Sequence, residues 1–120
     1  MCERRWGRIV NLTSVDAVSA RLISSAPYAA SKGEITAVTR ESRPTPPRTR
    51  WPSTASRRFD RGMGFAENVT GPLLEQYCQR NPDGRAGRCE EVADLVAFLC
   101  SKHAGYLIGQ TTVIDGGASA

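Results

Sequence analysis

The sequence predicts an α/β fold, and three observations carry that expectation. Two short runs rich in β-branched and apolar residues, Ile9-Val10-Asn11-Leu12-Thr13 and Thr111-Thr112-Val113-Ile114-Asp115, stand near opposite ends of the chain. Helical stretches lie between them, over 27–41 and 90–100. Strand and helix patterns that share one chain belong to layered α/β architectures.

The first run follows Gly7-Arg8 and reads as a short buried strand with Ser14 at its C-terminal end. Residues 15–26 are small and polar with scattered apolars, and read as a loop. Pro27 suits a first helical position, and the Ala-rich stretch to Glu41 continues as helix. Ala30, Ile35, Val38 and Thr39 are its expected core face. Gly71 to Gln79 reads as a short helix around Leu73, Leu74 and Tyr77, and Pro82-Asp83-Gly84 as a turn. Glu90 to Cys100 is amphipathic, with Val92, Leu95, Val96 and Leu99 at i, i+3, i+4, i+7 spacing. Its acids Glu90, Glu91 and Asp94 lie early, where the macrodipole favours them. Gly105 and Gly109 frame a loop before the last strand, which Gly116-Gly117 closes.

The segment 42–58 breaks this order. It holds four of the seven prolines, five arginines, no acid and no aliphatic residue larger than Ala55. No helix or strand pattern survives there. The formal charge of +4 belongs to this segment, since the rest of the chain nets −1. Its arginines, with Trp51, offer a nucleic-acid-binding reading, phosphate contacts plus base stacking. No nucleic acid is expected, for the reason given below.

The bulk composition is that of an ordinary globular domain, with 40% apolar and 23% charged residues. No apolar run is long enough for a transmembrane helix, and no apolar stretch follows Met1 to suggest a secretory signal. A cytoplasmic protein without a membrane partner is the expectation, and Asn11-Leu12-Thr13 and Asn68-Val69-Thr70 are then incidental glycosylation matches. Cysteines 2, 78, 89 and 100 form no C-x-x-C pair and have only His103 to assist them, so reduced thiols and no metal are expected.

One constellation carries chemistry. In Tyr28-Ala29-Ala30-Ser31-Lys32, the helical i, i+4 spacing puts Lys32 one turn from Tyr28 on the same side. A phenol with a reference pKa near 10 is a poor proton carrier at neutral pH. A neighbouring ammonium favours phenolate and makes it a better one. Ser14, at a strand end, is placed to hydrogen-bond the same reacting oxygen. Taken alone, Tyr and Lys four apart more often mark a solvated helix face.

The wider context changes that balance. Gly7-Arg8-Ile9-Val10-Asn11-Leu12-Thr13-Ser14 and Tyr28-Ala29-Ala30-Ser31-Lys32-Gly33 resemble the strand-and-helix core of the short-chain dehydrogenase/reductase family. So do Gly87-Arg88, Glu90-Glu91-Val92-Ala93, Phe98-Leu99, Gly109-Gln110 and Val113-Ile114-Asp115-Gly116-Gly117. The resemblance covers about 7–41 and 59–120. It implies an incomplete Rossmann-like, doubly wound parallel sheet, the C-terminal half only, with 1–120 as one partial domain and 42–58 anomalous within it.

The resemblance also implies roles. Tyr28 is the general acid/base, Lys32 lowers its pKa and binds the nicotinamide ribose, and Ser14 orients the substrate oxygen. Thr13 is a less fitting occupant of that last role. The cofactor is NAD or NADP, and the substrate a small carbonyl compound or secondary alcohol. Asn11 is read as support for the strand end, Asp115-Gly116-Gly117 as packing and turn, and Glu34 as exposed. Asp16 and His103 have no assigned partner.

Two features depart from the family pattern. The phosphate-binding T-G-x-x-x-G-x-G, whose glycines let backbone N–H groups meet a pyrophosphate, is absent from these 120 residues. In place of 42–58 the family has a helix end and a buried strand that leads to a Pro-Gly turn. Read one base out of frame, codons for Ser42 to Arg58 permit L-A-P-D-A-A-P-Y-A-L-A-V-N-S-V-A-P, which resembles that element. A compensated frameshift explains the arginines and prolines without any nucleic-acid role. The expectation is an oxidoreductase whose isolated chain is inactive. The alternative is a non-catalytic remnant that only binds or oligomerises, since the family often assembles through its Tyr/Lys helix and last strand.

Overall fold

A computed structural model of the chain describes residues 6–17, 25–41, 54–57 and 71–119. Three strands form one parallel sheet in the order β1 (Asn11–Ser14), β2 (Thr54–Arg57), β3 (Thr111–Ile114). Three helices accompany it: α1 (Ala26–Glu41), α2 (Pro72–Arg80) and α3 (Cys89–Cys100). Both ladders run in one register, with Asn11 opposite Thr54 and Thr54 opposite Thr111, through to Ser14, Arg57 and Ile114.

The central strand corrects the sequence expectation. Thr54–Arg57 lies inside 42–58, where the composition shows no helix or strand pattern. The physical reason lies in the backbone. A strand with a neighbour on each side satisfies its N–H and C=O groups on both edges, whatever side chains it carries. Thr-Ala-Ser-Arg contains no proline, so nothing interrupts the ladder. The remainder of that segment, 42–53 and Arg58, lies outside the described residues.

Helix α1 packs on β1 through hydroxyl and amide groups rather than an apolar stripe. The Thr13 hydroxyl donates to the Lys32 carbonyl at 2.7 Å and lies 3.2 Å from the Thr36 hydroxyl. Asn11 Nδ2 donates to Thr39 Oγ1 at 2.8 Å. Asn11 therefore supports the strand as expected, by tying it to the helix. The expected core face of α1 is corrected here: Thr39 is buried and Ile35 half-buried, but Ala30 and Val38 are exposed, and Thr36 is buried instead. Helical apolar spacing cannot reveal a face that docks by hydrogen bonds. Glu34 is exposed.

The apolar core is thin. Its fully buried large side chains among the described residues are Leu99 and Val15. Leu99 and Ala104 form a cluster against which Val10 and Leu95 pack. Side chains alternate along an extended chain. Asn11 and Thr13 face α1, so Val10 reaches the other side of the sheet, where the α3 cluster sits. Val15 corrects the loop reading of 15–26: Val15–Ala17 is a 3-10 turn and Val15 has no exposed surface. Residues 18–24 lie outside the described residues.

The later elements follow the sequence closely. α2 starts at Pro72 after Gly71, and α3 begins one residue before the expected start. The side chains of Leu73 and Tyr77 lie outside the described set. The α3 N-terminus is held by Glu91, whose carboxylate accepts from the Arg88 amide at 2.8 Å. An arginine has no acceptor atom, so the reciprocal half of a capping box is chemically impossible here. The turn at Pro82-Asp83-Gly84 forms as expected, with the Gly84 amide donating to the Asn81 carbonyl.

Candidate functional site

Tyr28 stands in the first turn of α1, and Lys32 one turn on. The Lys32 ammonium lies 5.8 Å from the centroid of the Tyr28 ring, within cation–π reach. It also donates to the Leu12 carbonyl of β1 at 3.3 Å. One of three ammonium protons is thereby used, and the side chain is anchored between helix and strand. Tyr28 is 45% exposed, so its ring is open to an incoming molecule. The local backbone is held by helix bonds and by the Ser31 hydroxyl, which donates to the Tyr28 carbonyl at 2.7 Å.

Ser14 ends β1, and Thr13 and Ser14 alternate across the strand. Thr13 turns its hydroxyl into α1, where the Lys32 carbonyl takes it. Ser14 turns the other way and is buried, with its hydroxyl donating to Asp16 Oδ2 at 3.0 Å. The Asp16 amide donates back to Ser14 Oγ at 3.3 Å. Tyr28 and Lys32 are thus brought together, and Ser14 lies one residue along from the strand residue that clasps their helix. Ser14 shares no hydrogen bond with Tyr28 among the described residues, and is engaged by Asp16. The sequence reading assigned Asp16 no partner. An Asp two residues after a Ser, at a strand end, was the available signal, because short polar side chains close local turns of this kind.

A second charged group sits at the joint between α2 and α3. Arg85 grips Glu91 with two bonds, at 2.9 and 2.7 Å, and reaches Asp83 at 2.9 Å. The Arg85 bonds, followed by the Arg88 amide, hold the Glu91 carboxyl well below the usual range, at about 2. The same partners raise Arg85 above its ordinary value, its bond with Glu91 first and the charge of Asp83 also contributing. Buried Asn81 stitches the turn, accepting from the Asp83 amide and donating to the Arg85 carbonyl. A cleft of about 190 Å³ is lined by Asn81, Arg85, Glu91, Asp115 and neighbours, and by none of Ser14, Tyr28 or Lys32. Asp115 serves a turn, as expected: it accepts from the Gly117 amide and from the Ser119 hydroxyl. The exposed His103 uses its amide to bond the Ser101 hydroxyl. Cys78, Cys89 and Cys100 form no disulfide among the described residues. No group of three potential metal ligands, and no helix long and apolar enough to cross a membrane, occurs among the described residues.

The fold has clear counterparts among known proteins. The profile described as enoyl-(acyl carrier protein) reductase matches residues 1–119. The chain belongs to the short-chain dehydrogenase/reductase family. It is 32% identical to the 3-oxoacyl-(acyl-carrier-protein) reductase of Aquifex aeolicus, over 98% of this chain and 47% of that one. It is 33% identical to the gluconate 5-dehydrogenase of Gluconobacter oxydans, over 98% of this chain and 46% of that one. Among solved structures, a gluconate 5-dehydrogenase from Burkholderia cenocepacia, in complex with NADP and tartrate, superposes with a TM-score of 0.85. That pair is 27% identical, and the match covers 98% of this chain and 47% of the other. A protein from Thermus thermophilus superposes with a TM-score of 0.89 at 28% identity, over 99% and 51% of the two chains. This member of the short-chain dehydrogenase/reductase family spans about half the length of the relatives it matches.

Proposed function

We propose that this chain carries the proton-transfer half of an NAD(P)-dependent oxidoreductase, the C-terminal half of a doubly wound sheet, acting between a small carbonyl compound and its secondary alcohol. The single observation that carries the reading is the Lys32 ammonium anchored on β1 and poised 5.8 Å from the ring centroid of an open Tyr28. Tyr28 takes the proton of an alcohol substrate, or donates its own to a carbonyl oxygen. Lys32 stabilises the phenolate that proton loss creates. Ser14 orients the substrate oxygen.

The residues present fit one end of a nicotinamide cofactor. Two Lys32 protons remain after its bond to Leu12, enough to meet a ribose diol, and Tyr28 lies beside it. A bound nicotinamide supplies or accepts the hydride. The pyrophosphate end finds no glycine-rich turn in these 120 residues. The chain by itself therefore binds NAD(P) weakly and does not turn over.

Two proteins test the reading. In one, the chain is joined to the preceding half of the Aquifex relative, with 42–58 replaced by the frame-shifted reading. Carbonyl reduction should appear, and Tyr28→Phe should lower kcat by about 100-fold or more, the contribution of general acid–base catalysis. Near-normal kcat in that variant would sink the assignment. In the other, the chain alone should show no turnover, and micromolar NAD(P)H affinity with Tyr28-dependent turnover would contradict its proposed inactivity.

A further inference from the structure

The Ser14 hydroxyl is committed by a residue outside the Tyr28–Lys32 pair. Ser14 Oγ donates to Asp16 Oδ2 at 3.0 Å, and the Asp16 amide donates to Ser14 Oγ at 3.3 Å. A serine hydroxyl has one proton and two lone pairs. Asp16 takes the proton and one lone pair, which leaves one acceptor position and no donor. Ser14 is only 6% exposed, so little water competes with the carboxylate for that proton. A bond to a charged acceptor is also stronger than one to a neutral carbonyl.

We infer that Asp16 is a specificity-determining positioning residue, which withholds the Ser14 proton and so favours ligands with a hydroxyl over ligands with a bare carbonyl. The inference rests on the proposed role of Ser14 in orienting the substrate oxygen. A carbonyl oxygen only accepts, so it gains a bond from Ser14 only by displacing the Asp16 carboxylate. A hydroxyl donates into the free lone pair and leaves the Ser14–Asp16 bond intact. Removing the carboxylate returns the Ser14 proton to the ligand.

Cyclohexanol and cyclohexanone, titrated against the full chain by ligand-observed NMR, form a matched test pair. The wild type should bind the alcohol more tightly. Asp16→Ala should raise ketone affinity roughly two- to tenfold, the worth of one hydrogen bond, without a matching gain for the alcohol. Asp16→Leu keeps roughly the volume and carries no acceptor for the Ser14 proton, so it should shift the ketone the same way and serves if the alanine variant does not fold. A ketone affinity unchanged in both variants overturns the inference while leaving the site reading in place. Binding of neither probe overturns the site reading, and this inference with it. Independently, the wild-type Asp16 carboxylate ¹³C signal should shift between H2O and D2O more than in Ser14→Ala. Equal shifts also overturn the inference.

Discussion

At the residue scale, hydroxyl groups hold the candidate site together. Thr13 clasps the Lys32 carbonyl and the Thr36 hydroxyl in a buried contact. Thr13→Val keeps the shape and removes these bonds. It should cost about 1 kcal/mol, because the remaining Thr36 bond still satisfies the Lys32 carbonyl. Urea denaturation of the two proteins measures this, and an unchanged midpoint would show that the clasp adds nothing. Gly116 is a second such point. Its φ of +64° lies in the left-handed region, and an added Cβ would stand 2.7 Å from Asn81 Oδ1. Gly116→Ala should cost at least about 1–2 kcal/mol by the backbone preference alone, and should also disturb the Asn81 bonds that shape the 81–85 turn.

Among the elements, β2 and α3 make opposite demands on sequence. β2 is defined by its neighbours on both sides, and its apolar content is negligible. Amide exchange over 54–57 should therefore be slow relative to exposed loops, and rapid labelling there would remove the central strand. α3 is defined by its own pattern and by Glu91. The Glu91 carboxyl titrates at about 2 in the folded chain, below its ordinary value of 4.5. A depressed acid contributes stability above the unfolded value and loses it as pH falls through the folded one. Wild type should thus lose its advantage over Glu91→Gln between about pH 4.5 and 2, while the two differ near neutrality. Urea midpoints across that range check it, and a constant difference down to pH 2 would contradict it.

For the molecule as a whole, the decisive fact is how few large side chains are fully buried among the described residues. Leu99 is the anchor of the cluster beside the sheet, and Leu99→Ala should cost about 2–5 kcal/mol. Domains have only about 5–15 kcal/mol in total, so this substitution should remove a large share of the stability and lower the urea midpoint markedly, as circular dichroism will report. Leu12, Val113 and Phe98 remain substantially exposed, and Tyr106 is fully so. Such surface favours association. Sedimentation should show concentration-dependent self-association, and a monomer at every concentration would contradict that.

The sequence by itself determined the family, the helices α1 and α3, the strands β1 and β3, and the Tyr28–Lys32 spacing. Each is written in local periodicity or in a short ordered motif, which neighbours in the chain suffice to express. Tertiary structure alone decided the rest. β2 became a strand because two flanking strands satisfy its backbone, a cause invisible in its side chains. Val15 became core, and Val38 did not, because hydrogen bonds to β1 set the rotation of α1 where its own apolar spacing is weak. Asp16 gained its partner because the 3-10 turn after β1 folds its carboxylate back onto Ser14, and only a backbone path through space creates that meeting.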